Sequence, residues 1–270
     1  MTARGSAVNS NLLWFEHLSR CDAPLLRLFC FPYAGGTAEV YHSWQKWFPE
    51  QIDLCLVHLP GRGRRFKEQA FTQIVPLVKA IADRIGPETN VPYALYGHSM
   101  GAVIAFELAR ELFRRRCAPP QHLFVSGRRA PQCSRTDPMT FNLSHDEFIT
   151  ELRRLDGTPK EVLENPELLE LFMGPLRADF ELIETYQYHP TEQLSCPITV
   201  YGGLQDKDVP VESCHAWKEQ TSASCKVRIV KGDHFFIRNP IPDFMAAFRS
   251  DVLSAVPASR TKKIYDSKCS

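Results

Sequence analysis

The five residues Gly97-His98-Ser99-Met100-Gly101, with what flanks them, constrain this chain more than any other segment. Before them runs Val91-Pro92-Tyr93-Ala94-Leu95-Tyr96, a short apolar stretch of the length of a buried strand. After them, residues 102–116 carry the apolar spacing of a helix. A strand, then G-x-S-x-G, then a helix is the context of a nucleophile elbow. The turn is so tight that the positions two before and two after the serine have no room for a side chain, which glycine alone tolerates cheaply. The serine hydroxyl then stands above the end of the sheet, with its own backbone at a helix N-terminus. The same five residues also suit an ordinary glycine-rich turn whose serine merely caps the helix. Because G-x-S-x-G arises by chance in about one chain of this length in ten, the rest of the sequence has to choose between the two.

Strand-like and helix-like segments alternate along the chain. Residues 25–31, 52–59, 92–96, 122–126, 197–201 and 226–230 are short apolar or β-branched runs ending near glycine or proline. Several are nearly continuous rather than alternating, as strands buried on both faces of a parallel sheet are. Helical patterns occupy 74–85, 102–116, 211–221 and 241–253. The expected class is therefore α/β, a mostly parallel central sheet with helices on both faces.

Residues 137–191 interrupt the rhythm, dividing the expected core into 1–136 and 192–256. Ser144-His145-Asp146-Glu147 is a capping box opening a helix over 145–155, and Gly157-Thr158-Pro159 ends it. Asn165-Pro166 starts a second helix, Met173-Gly174-Pro175 stops it, and a third is expected over 176–188. These helices serve either as extra packing or as a lid on glycine and proline hinges. The lid is preferred, because the insertion lies between strands whose C-terminal ends face the elbow. The polar tail 257–270 is expected to be disordered.

Composition narrows the function classes. At 270 residues and 44% hydrophobic, the chain is long enough for one large core with an insertion. A net charge of +1 implies no basic face and hence no nucleic-acid partner. The first eleven residues lack the basic start and apolar run of a signal peptide. No stretch approaches the roughly 18 apolar residues of a membrane span. The cysteine count is nine, an odd number, and Cys30 and Cys55 lie inside strand-like runs as buried thiols do. No C-x-x-C pair and no zinc-ligand spacing occurs, so the expectation is a cytoplasmic protein, monomeric and without a metal.

A serine hydroxyl is a poor nucleophile until a base takes its proton, so the elbow calls for a histidine and a carboxylate that orients it. In the fold that uses such elbows the order is Ser, then Asp or Glu, then His. Asp206 follows the strand ending at Tyr201 through Gly202-Gly203, and His234 follows the strand ending at Val230. Both would emerge on the rim that carries Ser99. Asp208 is the competitor for the carboxylate, but Asp206 comes sooner after the turn. Asp233 reads as a turn residue, and His98 as a structural group pointing away from the nucleophile.

Two amides must then hold the developing oxyanion. Met100, next after the nucleophile, supplies one. The loop Phe31-Pro32-Tyr33-Ala34-Gly35-Gly36 supplies the second, from Ala34 or, one register away, Tyr33. The basic loop Leu59-Pro60-Gly61-Arg62-Gly63-Arg64-Arg65 would attract phosphate or an acidic partner, although a solvated loop is the commoner explanation.

These segments carry a resemblance. Leu28 to Gly36, Leu59 to Arg65, the elbow, Leu155-Asp156-Gly157-Thr158-Pro159, Leu176-Arg177-Ala178-Asp179, Gly202-Gly203 ahead of Asp206, and Gly232 to Phe236 occur in order over about residues 25–240. The chain so resembles the stand-alone type II thioesterases of polyketide and nonribosomal peptide synthesis, relatives of the medium-chain fatty acyl thioesterases. The elbow is common to all α/β-hydrolases, while the Pro-Tyr-Ala-Gly-Gly, Leu-Pro-Gly-Arg and Leu-x-Gly-Thr-Pro segments are far more selective. The resemblance implies an α/β-hydrolase fold with a mobile helical lid. It implies Ser99, Asp206 and His234 as triad, and Ala34 and Met100 as oxyanion donors. Its substrates would be acyl groups held on the phosphopantetheine of acyl or peptidyl carrier proteins, with no cofactor of its own. A start at its own methionine without a fused carrier domain suits a free-standing editor.

Overall fold

The computed structural model describes residues 11–19, 21–133, 138–238 and 241–260. Its strands are β1 (Phe15–His17), β2 (Leu26–Phe31), β3 (Ile52–Val57), β4 (Tyr93–His98), β5 (His122–Ser126), β6 (Ile198–Gly203) and β7 (Cys225–Val230). Its helices are α1 (Asn11–Trp14), α2 (Ile74–Ile85), α3 (Met100–Arg114), α4 (His145–Leu155), α5 (Lys160–Leu163), α6 (Pro166–Glu184), α7 (Val211–His215) and α8 (Pro242–Ser254). The strands form one sheet in the order β1-β3-β2-β4-β5-β6-β7, parallel except for β1. This is the α/β-hydrolase architecture that the resemblance implies.

The six expected strands are all present. The seventh, β1, is three residues long, too short for its Phe-Glu-His to show a period. The expected helix 211–221 is α7 followed by a 3₁₀ segment Ala216–Gln220.

The interior of the sheet is dry on both faces, whereas the edge strand β7 is partly exposed. Every residue of β3, β4 and β6 is buried, which explains their nearly continuous apolar runs, broken in β3 by Asp53, which is paired with Arg27. On one face α2 and α3 contribute Ile81, Phe106 and Leu108 to the core. On the other, the 3₁₀ segment Ala38–Trp47 and α8 bring Tyr41, Trp44, Phe244 and Phe248 against Tyr96. Ring centroids there lie 5.0 Å apart for Tyr41–Trp44 and for Tyr96–Phe248, a spacing at which aromatic pairs add to plain burial. Tyr96 is thus clamped immediately before the elbow, so packing on this face fixes where β4 ends.

The chain reverses its direction of travel across the sheet between β2 and β4. From β2 it moves outward to β3, then returns to lay β4 on the other side of β2. Loops leaving the C-terminal ends of β2 and β4 therefore diverge and leave a crevice. Register sets the two ends level, with Phe31 opposite Gly97.

Helices α4, α5 and α6 cover that crevice. Phe148, Ile149, Leu152, Leu163, Leu169, Met173 and Leu176 form an apolar cluster of their own, apart from the two cores of the sheet. The capping box is formed, with Ser144 N–H donating to Glu147 Oε2 at 3.1 Å. Asp156 closes α4 in the left-handed region at φ 53°. The expected break at Met173-Gly174-Pro175 does not occur, and α6 runs unbroken through Pro175. A mid-helix proline forfeits one backbone hydrogen bond. Here the helical phase of Leu169, Met173, Leu176, Phe180 and Ile183 continues across it, and burial of both halves outweighs that loss. The N-terminal half packs in the lid cluster, while Leu182 and Ile183 pack on the body.

The boundary expected at 136/137 lies outside the described residues. Of the tail, residues 257–260 are ordered onto the body, with Arg260 donating to Pro24 O at 3.3 Å, contrary to the expected disorder. Residues 261–270 lie outside the described residues, as do the first ten. No helix among the described residues is long and apolar enough to cross a membrane.

Candidate active site

Ser99 is the N-cap of α3 with φ 52° and ψ −111°, a conformation costly for any residue with a side chain. What holds it there is the absence of atoms on either side. A Cβ on Gly97 would lie 2.0 Å from Gly101 O, and one on Gly101 would lie 2.2 Å from Phe31 O. The elbow can close only with glycine at both, and the second contact brings the end of β2 against the first turn of α3. Ser99 N–H donates to Ser126 O at 2.8 Å, tying the strained residue to β5.

Asp206 and His234 meet at the same rim. His234 Nδ1 lies 2.8 Å from Asp206 Oδ2, so the proton sits on Nδ1, since a carboxylate oxygen only accepts. The other oxygen, Oδ1, accepts from the N–H groups of Asp208 and Val209 at 3.0 and 3.1 Å. The Asp206 side chain is fully buried, and His234 is 17% exposed. Asp208 is partly exposed at the edge of the same site, with Arg154 of α4 3.6 Å from its carboxylate. Asp233 behaves as a turn residue, its Oδ1 accepting from Phe235 N at 2.8 Å.

Asp206, Asp208 and His234 place three possible metal ligands within 4.8 Å of one another. Both oxygens of Asp206 and Nδ1 of His234 are already engaged in hydrogen bonds. A cation would have to displace them, so this donor set fits a hydrogen-bonded relay better than a metal site.

His98 is fully buried, and its ring packs beside that of His234. Its Nδ1 is 2.8 Å from Ser126 Oγ, which is also 2.8 Å from Tyr96 Oη. Its ring centroid is 5.1 Å from that of His234. Burial, and second the neighbouring His234, hold the His98 pKa well below the usual histidine range, so this ring packs against His234 without a competing charge.

The loop after β2 folds as a tight turn, with Gly36 N–H donating to Tyr33 O at 2.9 Å and Gly35 at φ 74°, the geometry of a type II turn. Among the described residues, neither the Ala34 nor the Met100 N–H donates to another protein group. Ala34, Ser99 and His234 line one cavity of about 480 Å³, roofed by Leu152 and Leu155 of α4 and Phe180 of α6. That volume is typical of sites for small molecules. The structure therefore places Ser99, His234 and Ala34 around one cavity, with Asp206 bonded to His234, while Met100, next in the chain after the serine, is fully buried.

Two features were not legible in advance. Arg62 and Arg65, expected in a solvated basic loop, are buried. Arg62 forms a two-pronged ion pair with Asp179 of α6, and Arg65 pairs with Glu68 and stacks over Trp14 at 3.7 Å. Arg238 reaches from the loop after His234 to the end of α4, donating to Asp156 O at 2.7 Å, to Gly157 O, and to Tyr33 Oη at 3.1 Å. The partners of Arg62 and Arg238 lie 117 and 82 positions away in sequence, where no local pattern reports on them.

The family profile described as "Thioesterase domain" matches residues 26–249. Gramicidin S biosynthesis protein GrsT of Aneurinibacillus migulanus is 45% identical over 227 residues, covering 83% of this chain and 88% of that protein. Linear gramicidin dehydrogenase LgrE of Brevibacillus parabrevis is 43% identical over 230 residues, covering 84% and 88%. Among solved structures, the type II thioesterase BorB from the borrelidin biosynthetic cluster superposes with a TM-score of 0.79 at 32% identity, covering 88% of this chain and 97% of that one.

Proposed function

The chain belongs to the thioesterase family, and from that premise we propose that it is a type II thioesterase. In this reading it hydrolyses acyl groups from the phosphopantetheine arm of carrier proteins in peptide or polyketide synthesis, clearing stalled or misprimed chains. The observation that carries it is the single cavity into which Ser99, His234 and the Ala34 loop all open. The Asp206–His234 hydrogen bond supports the base role of the imidazole.

His234 Nε2 takes the Ser99 proton as Oγ attacks the thioester carbonyl. The oxyanion is received by the N–H groups of Ala34 and Met100, a kind of contribution worth about 10²–10³ in kcat per donor in other serine hydrolases. Collapse breaks the C–S bond, the thiolate takes the proton from His234, and an acyl-serine remains. His234 then activates water, whose attack releases the acid and restores Ser99. Asp206 holds the imidazole with Nδ1 protonated and stabilises its cationic form.

The names of GrsT, LgrE and BorB, tied to gramicidin and borrelidin synthesis, support a place in an assembly-line pathway. The test is hydrolysis of a panel of acyl-carrier proteins from acetyl to long chain, beside matched oxygen esters. Wild type should release acid from the carrier thioesters, and Ser99→Ala should lose both this and fluorophosphonate labelling. Full hydrolysis by Ser99→Ala would sink the acyl-serine scheme. A strong preference for oxygen esters would sink the thioester reading.

A further inference from the structure

The oxyanion loop is held from outside by a charged pair. Gly35 N–H donates to Asp179 Oδ2 at 2.7 Å. The Arg62 guanidinium grips the same carboxylate with two donors, one to Oδ2 and one to Oδ1 at 2.5 Å. Asp179 is 1% exposed and Arg62 7%. Three elements thus converge on one carboxylate: the loop after β2, the loop after β3 and lid helix α6.

We propose that Arg62 and Asp179 are positioning residues for the oxyanion hole, and that they make its assembly depend on the docking of α6. This rests on the reading of Ala34 and Met100 as oxyanion donors. The Gly35 N–H belongs to the peptide plane next to the one carrying the Ala34 N–H, and the Gly36 N–H···Tyr33 O bond closes the turn around both, so anchoring the Gly35 N–H restricts the aim of the Ala34 amide. The same helix closes the loop sterically, since a Cβ on Gly35 would lie 2.5 Å from Leu176 Cδ2. On the opposite side, Arg62, Asp179 and Met100 border a void without room for a water molecule. The pair therefore bonds the loop of one donor and borders a void that the residue of the other donor also lines.

The charges explain why a pair is used rather than a carboxylate alone. A buried, unpaired Asp179 would set a negative charge beside the place where the oxyanion develops, in a medium that screens poorly. Arg62 cancels it while its planar fork holds the geometry. If α6 lifts, Gly35 loses its acceptor and the loop its clamp, so the hole is complete only beneath a closed lid.

The experiment uses Arg62→Gln/Asp179→Asn, which removes both charges together, and Arg62→Lys, which keeps the charge without the fork. Each is measured for kcat, KM and inhibition by an alkylboronic acid, whose serine adduct carries an oxygen in the hole. Active sites are counted with a fluorophosphonate, so that partial misfolding does not pass for lost rate. The expected result is a kcat loss of about tenfold to a hundredfold with KM nearly unchanged. The boronate inhibition constant should rise by the same factor, and Arg62→Lys should show a smaller parallel effect. Wild-type kcat per active site in either variant overturns the proposal. So does a kcat loss with boronate affinity unchanged, which is what a merely structural pair would give. Should the double variant not fold, Arg62→Lys carries the comparison alone. If wild type proves to be an esterase rather than a thioesterase, the function reading fails, while this comparison, run on the ester, still decides the role of the pair.

Discussion

Replacing Arg238 with methionine should loosen the lid while leaving the body intact. The guanidinium donates to carbonyls just past the end of α4, Asp156 O of its C-cap at 2.7 Å and Gly157 O, and to Tyr33 Oη at 3.1 Å. It also lies 4.0 Å from the centre of the Phe235 ring. A cation at a helix C-terminus complements the dipole there as well as meeting free carbonyls. Hydrogen bonds from charged groups are worth about 1.5–3 kcal/mol each when buried. Arg238 is half-buried and water would replace part of the loss, so roughly 2 kcal/mol in total is a fair figure. At 1.4 kcal/mol per factor of ten, α4 should open about 30-fold more often. Native-state hydrogen exchange reads this opening directly. Amides of His145–Leu155 should exchange about 30-fold faster in Arg238→Met, while those of Met100–Arg114 keep their wild-type rates. Unchanged exchange in α4 would refute the assignment of Arg238 as the clamp. An equal rise in α3 would show that the residue supports the whole fold instead.

Asp206→Asn should cut kcat by about 10⁴ through loss of the correct imidazole tautomer. Asp208→Asn weakens the 3.6 Å pairing with Arg154 at the cavity edge but leaves the Asp206–His234 hydrogen bond in place, so it should cost less than about fivefold, and steady-state kinetics on the two variants compares them directly. Gly97→Ala should fail to accumulate as folded protein, because its Cβ would fall 2.0 Å from Gly101 O, backbone that cannot yield; a normal thermal melt would refute the elbow geometry. Stability should also fall on the acid side. Burial drives the His122 pKa down to about 4 from 6.5, so between those values the unfolded chain binds the proton and the native state does not. His122 therefore costs nothing above about pH 6.5, and stability is lost as pH falls toward 4, on the order of 2–3 kcal/mol from this group. His98 is shifted in the same direction. Urea melts across that range should show His122→Gln, which can still bond Thr199, with a shallower slope than wild type.

Much of the fold was legible because its strands are buried on both faces, and burial leaves apolar runs that a reader can count. The elbow was legible for a steric reason. Two glycines bracketing a serine between a strand and a helix are needed where backbone atoms approach within about 2 Å of where a Cβ would stand. Asp206 and His234 could be placed because chain order and strand ends point to one rim of a parallel sheet. The short edge strand β1 and the unbroken α6 were not legible, the first for want of a period. In the second, Pro175 has a strong local preference that the continuing apolar phase overrides.

What the sequence determined by itself, then, was everything governed by local sterics and by periodic burial: the sheet, the elbow and the residues at its rim. What the tertiary structure alone decided was how charged groups far apart in sequence are used. Three neighbouring arginines in one loop look alike on paper. In the fold Arg62 is buried against Asp179 and Arg65 is buried over the distant Trp14 besides pairing with its near neighbour Glu68, while Arg64 lies partly exposed, 3.5 Å from Glu16. The reason is physical. Burying an ion carries a desolvation cost that only a partner in good geometry offsets, and partners 117 residues apart are found by packing rather than by pattern.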